Sequence, residues 1–531
     1  MRSKPMILVA LLLAAFLVNL DTTLVNVALP ALVRELHATT TQLQWVVDSF
    51  NLVFAAVLLT FGSLSDRFGR KGMLLAGLAV FGAASLAGGF TSGPAQLIVA
   101  RSVMGLGAAM TFPATLSLIS NVFTERRERA RAIGLWGAIA GVAIAMGPIV
   151  GGWLLEHFSW ASIFIAMAPV AAAAAILVAL VVPTSRDPEA AAPDIPGLVL
   201  SSATMALLVF TVIEAPAYGW AAGRSLAGFA ASAVLLAAFI AWERRAAHPM
   251  LDVRLFRNLR FSAASGAVTV SFFTLFGFIF LITQYFQFVR GYGPLSTGVH
   301  LLPVALAVGA GSVAGTALAV RAGTKLIVTT GLVAMAGFYG WAAATTSATL
   351  SYGIIAAQMV AYGLGLGLTS APATESIMGA ISRAKAGVGS AVNDSTRLVG
   401  GTLGVAVIGS VYASVYGSRL TATLPASVPG PVATIAHQSV GAAYVAADKI
   451  AALGQPVLGQ ALQHAAANAF LRGLAIGCVV AGAVAAAGAI LAVLFLPAQP
   501  AQPALPALPA HRNALHVAAT AQATAKRWGD Q

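Results

Sequence analysis

The chain of 531 residues has one cysteine, Cys478, so a disulfide framework and a cysteine-based metal site are both excluded. Charge is equally scarce. Only 9% of residues are Asp, Glu, Lys or Arg, against about a quarter in soluble domains, so no water-facing surface can be covered. No Gly-Lys-Ser/Thr phosphate-binding loop occurs, which argues against ATP drive within the chain. The eight histidines fall mostly in loops and the C-terminal tail without metal-ligand spacing, and no enzyme signature is present. The expectation is a non-enzymatic protein without a cofactor or metal.

What remains is apolar: 59% of residues are hydrophobic and mean hydropathy is +0.87. Long continuous apolar runs, rather than short alternating strands, indicate an all-α polytopic membrane protein. Breaks between runs predict fourteen spans at 6–30, 44–63, 73–92, 95–122, 131–155, 160–182, 196–216, 224–242, 260–288, 295–318, 325–346, 351–378, 387–416 and 472–496. The first is too long for a cleavable signal peptide. An even count puts both termini on one side. With the N-terminus cytoplasmic, 22 of the 30 Lys and Arg fall in inner segments, 6 in outer ones, and Arg101 and Arg397 inside helices. That bias predicts cytoplasmic termini and accounts for the net charge of +13 without nucleic acid. Residues 417–471 read as a long extracytoplasmic excursion, and 497–531 as a Pro/Ala-rich cytoplasmic tail, extended or disordered.

Asp21 is the first acid of the chain and lies inside the first apolar run, where an ionisable group costs several kcal/mol and marks a functional candidate. Arg101 lies inside the fourth. Taking 1.5 Å per residue, Asp21 is about 14 Å and Arg101 about 8 Å from the same surface, a difference that an arginine side chain largely spans. A coupling pair and a static buried ion pair are the two readings. Asn19, Thr22, Thr23 and Asn26 recur at i, i+3, i+4 and i+7, and Asp21 lies about 200° around the helix from Asn19. One helix therefore carries two separate polar surfaces.

The first inner loop, Gly62-Ser-Leu-Ser-Asp66-Arg67-Phe-Gly69-Arg70-Lys71, combines reversal glycines, one acid and three cations. In the fifth span Gly137, Gly141 and Ala145, and again Gly147 and Gly151, recur every four residues, with Pro148 and Gly152 beside them. Small residues at that spacing allow close helix approach.

These patterns, in this order, resemble the major facilitator superfamily and within it the fourteen-helix drug:proton antiporter family (EmrB/QacA type). The loop 62–71 resembles the superfamily signature between helices 2 and 3. Leu20-Asp21-Thr22-Thr23…Asn26-Val27-Ala28-Leu29-Pro30 resembles the narrower family's first-helix motif. So do Trp45-Val46-Val47-Asp48, Arg101-Ser-Val-Met-Gly105-Leu-Gly107, and Gly141…Gly147-Pro148-Ile-Val-Gly151-Gly152, the last being its antiporter signature. Leu255-Phe256-Arg257-Asn258, Gln284-Tyr285…Pro294 and Asn393…Arg397-Leu-Val-Gly400-Gly401 are similar to later blocks. The chain departs from the family at Trp160-Ala161 and Met167-Ala168-Pro169, where Trp-Arg and Asn-x-Pro are common.

The resemblance implies two six-helix halves with two extra central helices. The expected division is 1–182, an insert at 183–259, 260–496 including the excursion, and the tail 497–531. It implies a proton-coupled multidrug efflux antiporter in a bacterial-type inner membrane, exporting hydrophobic, drug-like, in part cationic compounds. Asp21 and Arg101 would carry proton coupling. Gly62, Asp66, Arg67, Gly69 and Arg70 would form a conformational latch, and Gly141, Gly147, Pro148, Gly151 and Gly152 a seal between the halves. Weaker candidates for substrate contact are Asn26, Asp48 and Glu375. Asp48, three residues after a presumed interfacial Trp45, reads as either a cation-attracting group at the outer mouth or a solvated helix end. Glu214 reads as part of a structural turn, and Asp394 and Arg397 as mutually neutralising neighbours. Phe272, Phe273, Phe276, Phe278, Phe280, Tyr285 and Phe286 can stack on flat cations but each reads more simply as packing. The alternatives are a dedicated exporter of one antibiotic or a lipid, a nutrient symporter, or a membrane sensor or scaffold that docks an adaptor through 417–471.

Overall fold

The computed structural model describes residues 4–186, 193–380 and 386–498. It is 87% helical, with no strand among the described residues. Among the described residues, fourteen helices are long and apolar enough to cross a membrane. They are α1 (Lys4–Leu36), α2 (Thr40–Phe68), α3 (Arg70–Gly88), α4 (Pro94–Val122), α5 (Arg126–His157), α6 (Ser162–Val181) and α7 (Ile195–Tyr218). After these come α8 (Gly223–Glu243), α9 (Leu259–Val289), α10 (Pro294–Ala322), α11 (Thr324–Thr345), α12 (Tyr352–Gly379), α13 (Ala386–Thr423) and α14 (Pro456–Phe495). The expected tail lies, past residue 498, outside the described residues.

Helices α1–α6 form one half and α9–α14 the other, with α7 laid along the seam and α8 packed on α7. Leu52 of α2, Val209, Val212 and Ile213 of α7, and Ala406 of α13 make a separate buried cluster, so α7 covers both halves at once. Trp45 of α2 packs on Phe210 of α7 (ring centroids 6.2 Å apart), and its indole N–H donates to Glu214 Oε1 at 3.4 Å. Trp45 is thus a joint with α7 rather than an interfacial anchor.

The helix boundaries differ from expectation at three informative places. α1 runs through Pro30 to Leu36, because the ring removes one hydrogen bond while the packed flanks of the helix hold its direction. α2 starts at Thr40, one turn earlier than expected. Thr39 and Gln42 form a reciprocal capping box there, the hydroxyl accepting from the Gln42 amide and the Gln42 side chain from the Thr39 amide. The excursion 417–471 is mostly helix: α13 extends to Thr423, Gly430–Gln438 and Val440–Ala452 are short helices, and α14 starts at Pro456. Its alanines favour helix wherever a packing face exists. That face lies on the chain's own bundle. Thr40 Oγ1 donates to Gln438 O, Tyr416 Oη to Ala436 O, and Gly441 packs against Val33 and Phe288.

With fourteen spans, the start of α1 at Lys4 and the end of α14 at Phe495 lie on one face of the bundle, here the terminal face. Among the described residues, every direct hydrogen bond between the two six-helix halves lies toward the opposite face: Thr40 to Gln438, Gln287 to Val27 O, and Gln44 to Val405 O, Ala406 O and Ser410. The halves are closed on that side.

Candidate functional site

Asp21 comes from the middle of α1 and Arg101 from the second turn of α4. Their side chains meet, with Arg101 Nη1 donating to Asp21 Oδ2 at 2.5 Å, and both residues are 1% exposed. The guanidinium has two further contacts. Nε donates to Val46 O at 3.0 Å, and the group lies 4.4 Å from the centroid of the Phe50 ring. Arg101 therefore ties α1 to the backbone of α2. One buried charge stands against another in low dielectric, and removing either leaves the other uncompensated.

On α2, Gln44, Asp48 and Asn51 recur at i, i+4 and i+7, one stripe facing α13. Gln44 Nε2 donates to Val405 O (3.2 Å), Ala406 O (3.1 Å) and Ser410 Oγ (3.3 Å). One turn inward along each antiparallel helix come Asp48 and Thr402. Both are fully buried, and both Asp48 oxygens and Thr402 Oγ1 lack a hydrogen-bond partner. Asp48 therefore lies neither at the outer mouth nor at a solvated helix end. With α2 starting at Thr40, Asp48 is about 12 Å from the helix end at the usual rise, not at a solvated terminus. The Thr39…Gln42 capping signature was the sequence signal for this.

The polar stripe of α1 divides. Thr23 Oγ1 donates to Ile144 O of α5, while Asn26 Nδ2 donates back to Thr22 O. Asp21 faces α4. Glu375 is exposed near the terminal-face end of α12, far along the bundle from Asp21 and Asp48, and does not join them. Asp394 and Arg397 form no ion pair among the described residues. Arg397 Nη2 instead donates to Thr374 Oγ1 at 3.3 Å, its guanidinium lies over Phe272 (5.1 Å), and its Nε is buried without a partner. Of the α9 aromatics, Phe278 packs on Phe338 and Tyr362, and Phe286 stacks on Tyr292.

The small-residue run on α5 also divides. Gly147 faces Thr23, Leu24 and Leu20 of α1, and Gly151 faces Leu24. Gly152 faces the other half: a Cβ there would lie 2.6 Å from Pro294 O and 2.7 Å from Leu295 Cα. Reciprocally, Gly298 of α10 abuts the Pro148 carbonyl and Ile149 N. Gly137 and Gly141 have nothing within 4 Å and take no part in this packing, contrary to the repeat read from the sequence. They precede the contact, on an exposed stretch of α5.

In the loop between α2 and α3, Arg70 Nε donates to Asp66 Oδ1 at 2.7 Å and the Arg70 amide to Ser185 O at 2.9 Å. The latter joins the loop to the chain beyond α6. Gly69 has φ of +119°, a conformation that a side chain would strain. Gly62 passes Pro113 at ordinary contact distance (3.7 Å), and Arg67 lies over Phe68.

A family model described as Major Facilitator Superfamily matches residues 11–405. The chain belongs to the major facilitator superfamily. It is 35% identical over 490 residues to the multidrug efflux pump LfrA of Mycolicibacterium smegmatis, covering 92% of this chain and 95% of that one. To the multidrug resistance protein Stp of Mycobacterium tuberculosis it is 34% identical over 431 residues (81% and 80%). To the tetracenomycin C resistance and export protein of Streptomyces glaucescens it is 35% identical over 411 residues (77% and 76%). Among solved structures, a bacterial homologue of the lysosomal transporter Spinster, inward-facing and occupied, superposes with a TM-score of 0.65 at 16% identity, covering 93% of this chain and 98% of that one. That likeness speaks for the fold alone. A multi-pass membrane transporter fold is therefore established.

Proposed function

We propose that this chain is a proton-coupled exporter of hydrophobic drug-like compounds, working by alternating access in a bacterial cell membrane. The observation that carries the coupling is the isolated, buried Asp21–Arg101 pair, whose cation also holds the backbone of α2. The relatives' names as multidrug efflux pumps and an antibiotic export protein support the direction of transport. The Lys and Arg bias puts the terminal face in the cytoplasm. The closed face is then extracytoplasmic and the conformation inward-facing.

The proposed cycle follows from the contacts. Deprotonated Asp21 holds Arg101, and through Val46 O it holds α2 in register with α4. A proton on Asp21 removes the charge that Arg101 answers, so α2 is released. Because α2 carries Gln44 against α13, that release reaches the seam between the halves. Asp48, with both oxygens unpartnered at the same seam, is the acid available to a cationic group of the substrate, and Asn26 is a weaker contact. Glu375, exposed near the cytoplasmic end, would meet a cation on entry. Gly147, Pro148, Gly151 and Gly152 seal the extracytoplasmic side against α1 and α10, while Gly62, Asp66, Arg67, Gly69 and Arg70 latch the cytoplasmic loop. A membrane potential supplies about 2.3 kcal/mol per charge per 100 mV, and one pH unit about 1.4 kcal/mol.

A dedicated exporter of one antibiotic is the second reading, favoured by the name of the tetracenomycin C relative. An adaptor role for 417–471 rests on the exposed Ile435, Leu453 and Val457. In everted vesicles, uptake of a hydrophobic cationic dye should require a pH gradient or potential and be lost in Asp21→Asn. Uptake that survives a protonophore overturns the proposal. Uptake of one antibiotic but none of a broad dye panel selects the second reading.

A further inference from the structure

The two extra helices end in an unexplained pair of acids. Asp194 caps the start of α7. Its Oδ1 accepts from the Gly197 amide (2.9 Å) and from Trp242 Nε1 (2.8 Å), and its Oδ2 from the Met250 amide (3.3 Å). Glu243, the last residue of α8, is only 3% exposed, and its Oε2 accepts from the Leu251 amide at 3.1 Å. Its Oε1 is buried with no donor. That oxygen and Asp194 Oδ2 converge on the bare Cα of Gly197: a Cβ there would lie 2.6 Å from the first and 2.5 Å from the second.

A buried carboxylate oxygen without a donor is costly, and two adjacent carboxylates cannot both stay ionised cheaply. Among the described residues no cation pairs with either acid. The other charged group acting on Glu243 is Asp252, again an acid. Arg244, Arg245, His248, Arg254 and Arg257 follow in the linker, yet none pairs with Glu243 among the described residues, and Arg254 Nη2 donates to Arg244 O instead. From α2, the neutral Thr60 donates a hydrogen bond to this linker. No group of three or more His, Cys, Asp or Glu able to hold a metal occurs among the described residues. The missing atom is a donor, and a proton on Glu243 Oε1 or Asp194 Oδ2 supplies it.

We propose that Asp194 and Glu243 form a proton-binding site, holding one shared proton that clamps the start of α7, the end of α8 and linker residues 250–251 together. The site is separate from Asp21 and touches no substrate. Its reach is set by two contacts. Met250 Sδ accepts from Thr60 Oγ1 at 3.4 Å, six residues before Asp66 on α2, and α7 covers the α2–α13 seam. Loss of the proton sets two negative charges against each other and loosens the clamp on the helix that bridges the halves. Placing the site in the cytoplasm rests on the orientation proposed above; proton binding itself does not.

The test is pH-difference infrared spectroscopy of the purified full-length protein in lipid without substrate, following the carbonyl band of protonated carboxyls. In the wild type a band should disappear as the medium turns alkaline. A single shared proton requires that Glu243→Gln and Asp194→Asn each remove all of the same band, with the Asp21→Asn protein retaining it. Persistence of the band in either variant, or loss of a separate portion in each, overturns the proposal. Gly197→Ala keeps both acids but wedges a methyl between them, so the pH at which the band titrates should shift; an unshifted titration also overturns it.

Discussion

Gly298→Ala probes the extracytoplasmic seal directly. A Cβ on Gly298 would lie 2.7 Å from the Pro148 carbonyl carbon and 3.0 Å from Ile149 N, and closer still to the carbonyl oxygen. All three atoms are backbone, so no side chain can swing aside. Overpacking of this kind costs about 1–3 kcal/mol, and the cost falls only on the conformation in which α5 and α10 touch. At about 1.4 kcal/mol per tenfold, the equilibrium moves by roughly 5- to 150-fold toward the conformation open on that side. The assay replaces the one native thiol (Cys478→Ala), introduces Ala28→Cys on the fully buried face of α1, and measures labelling by a membrane-impermeant maleimide. Labelling should accelerate by that factor in Gly298→Ala and stay unchanged in Gly141→Ala, where nothing lies within 4 Å. Equal labelling of wild type and Gly298→Ala, or equal acceleration by Gly141→Ala, refutes the reasoning.

Other expectations follow from the same contacts. Arg101→Ala should destabilise the protein by about 3–5 kcal/mol by stranding Asp21. The double variant Asp21→Asn/Arg101→Ala should recover part of that loss, whereas additive losses in thermal unfolding would show that the two are not coupled. Asp66→Asn breaks an ion pair whose carboxylate is 35% exposed, so its cost should stay within about 1 kcal/mol while dye efflux slows; unchanged efflux removes the loop from the cycle. Gly69→Ala, forced to φ of +119°, should cost about 1–3 kcal/mol. Asp48→Asn should weaken export of cationic dyes more than of neutral ones, measured as a change in KM, and equal effects would assign Asp48 another role.

Spans were legible because hydrophobicity is a local property that bilayer thickness reads directly, and α4, α8 and α12 end close to where apolar runs break. The contact of Asp21 with Arg101 was foreseeable from depth alone, since two charges in hydrocarbon must find each other or water. Asp48 lies deeper than expected because α2 begins at Thr40, as the Thr39 and Gln42 capping pair announces, and not at residue 44. The Gly-x-x-x-Gly pattern marked α5 as a packing helix but not which glycines pack. Gly147, Gly151 and Gly152 meet α1 and α10 while Gly141 meets nothing, a distinction made by partners hundreds of residues away. The same holds for Arg397, whose hydrogen bond to Thr374 and contact with Phe272 lie on other helices.

The most direct measurement of proton coupling uses proteoliposomes loaded with a pH indicator and a gradient of a hydrophobic cationic dye, with no imposed pH difference. Coupling through Asp21 requires that dye movement drive protons the opposite way in the wild type and not in Asp21→Asn. Proton movement at the wild-type ratio in Asp21→Asn would contradict it.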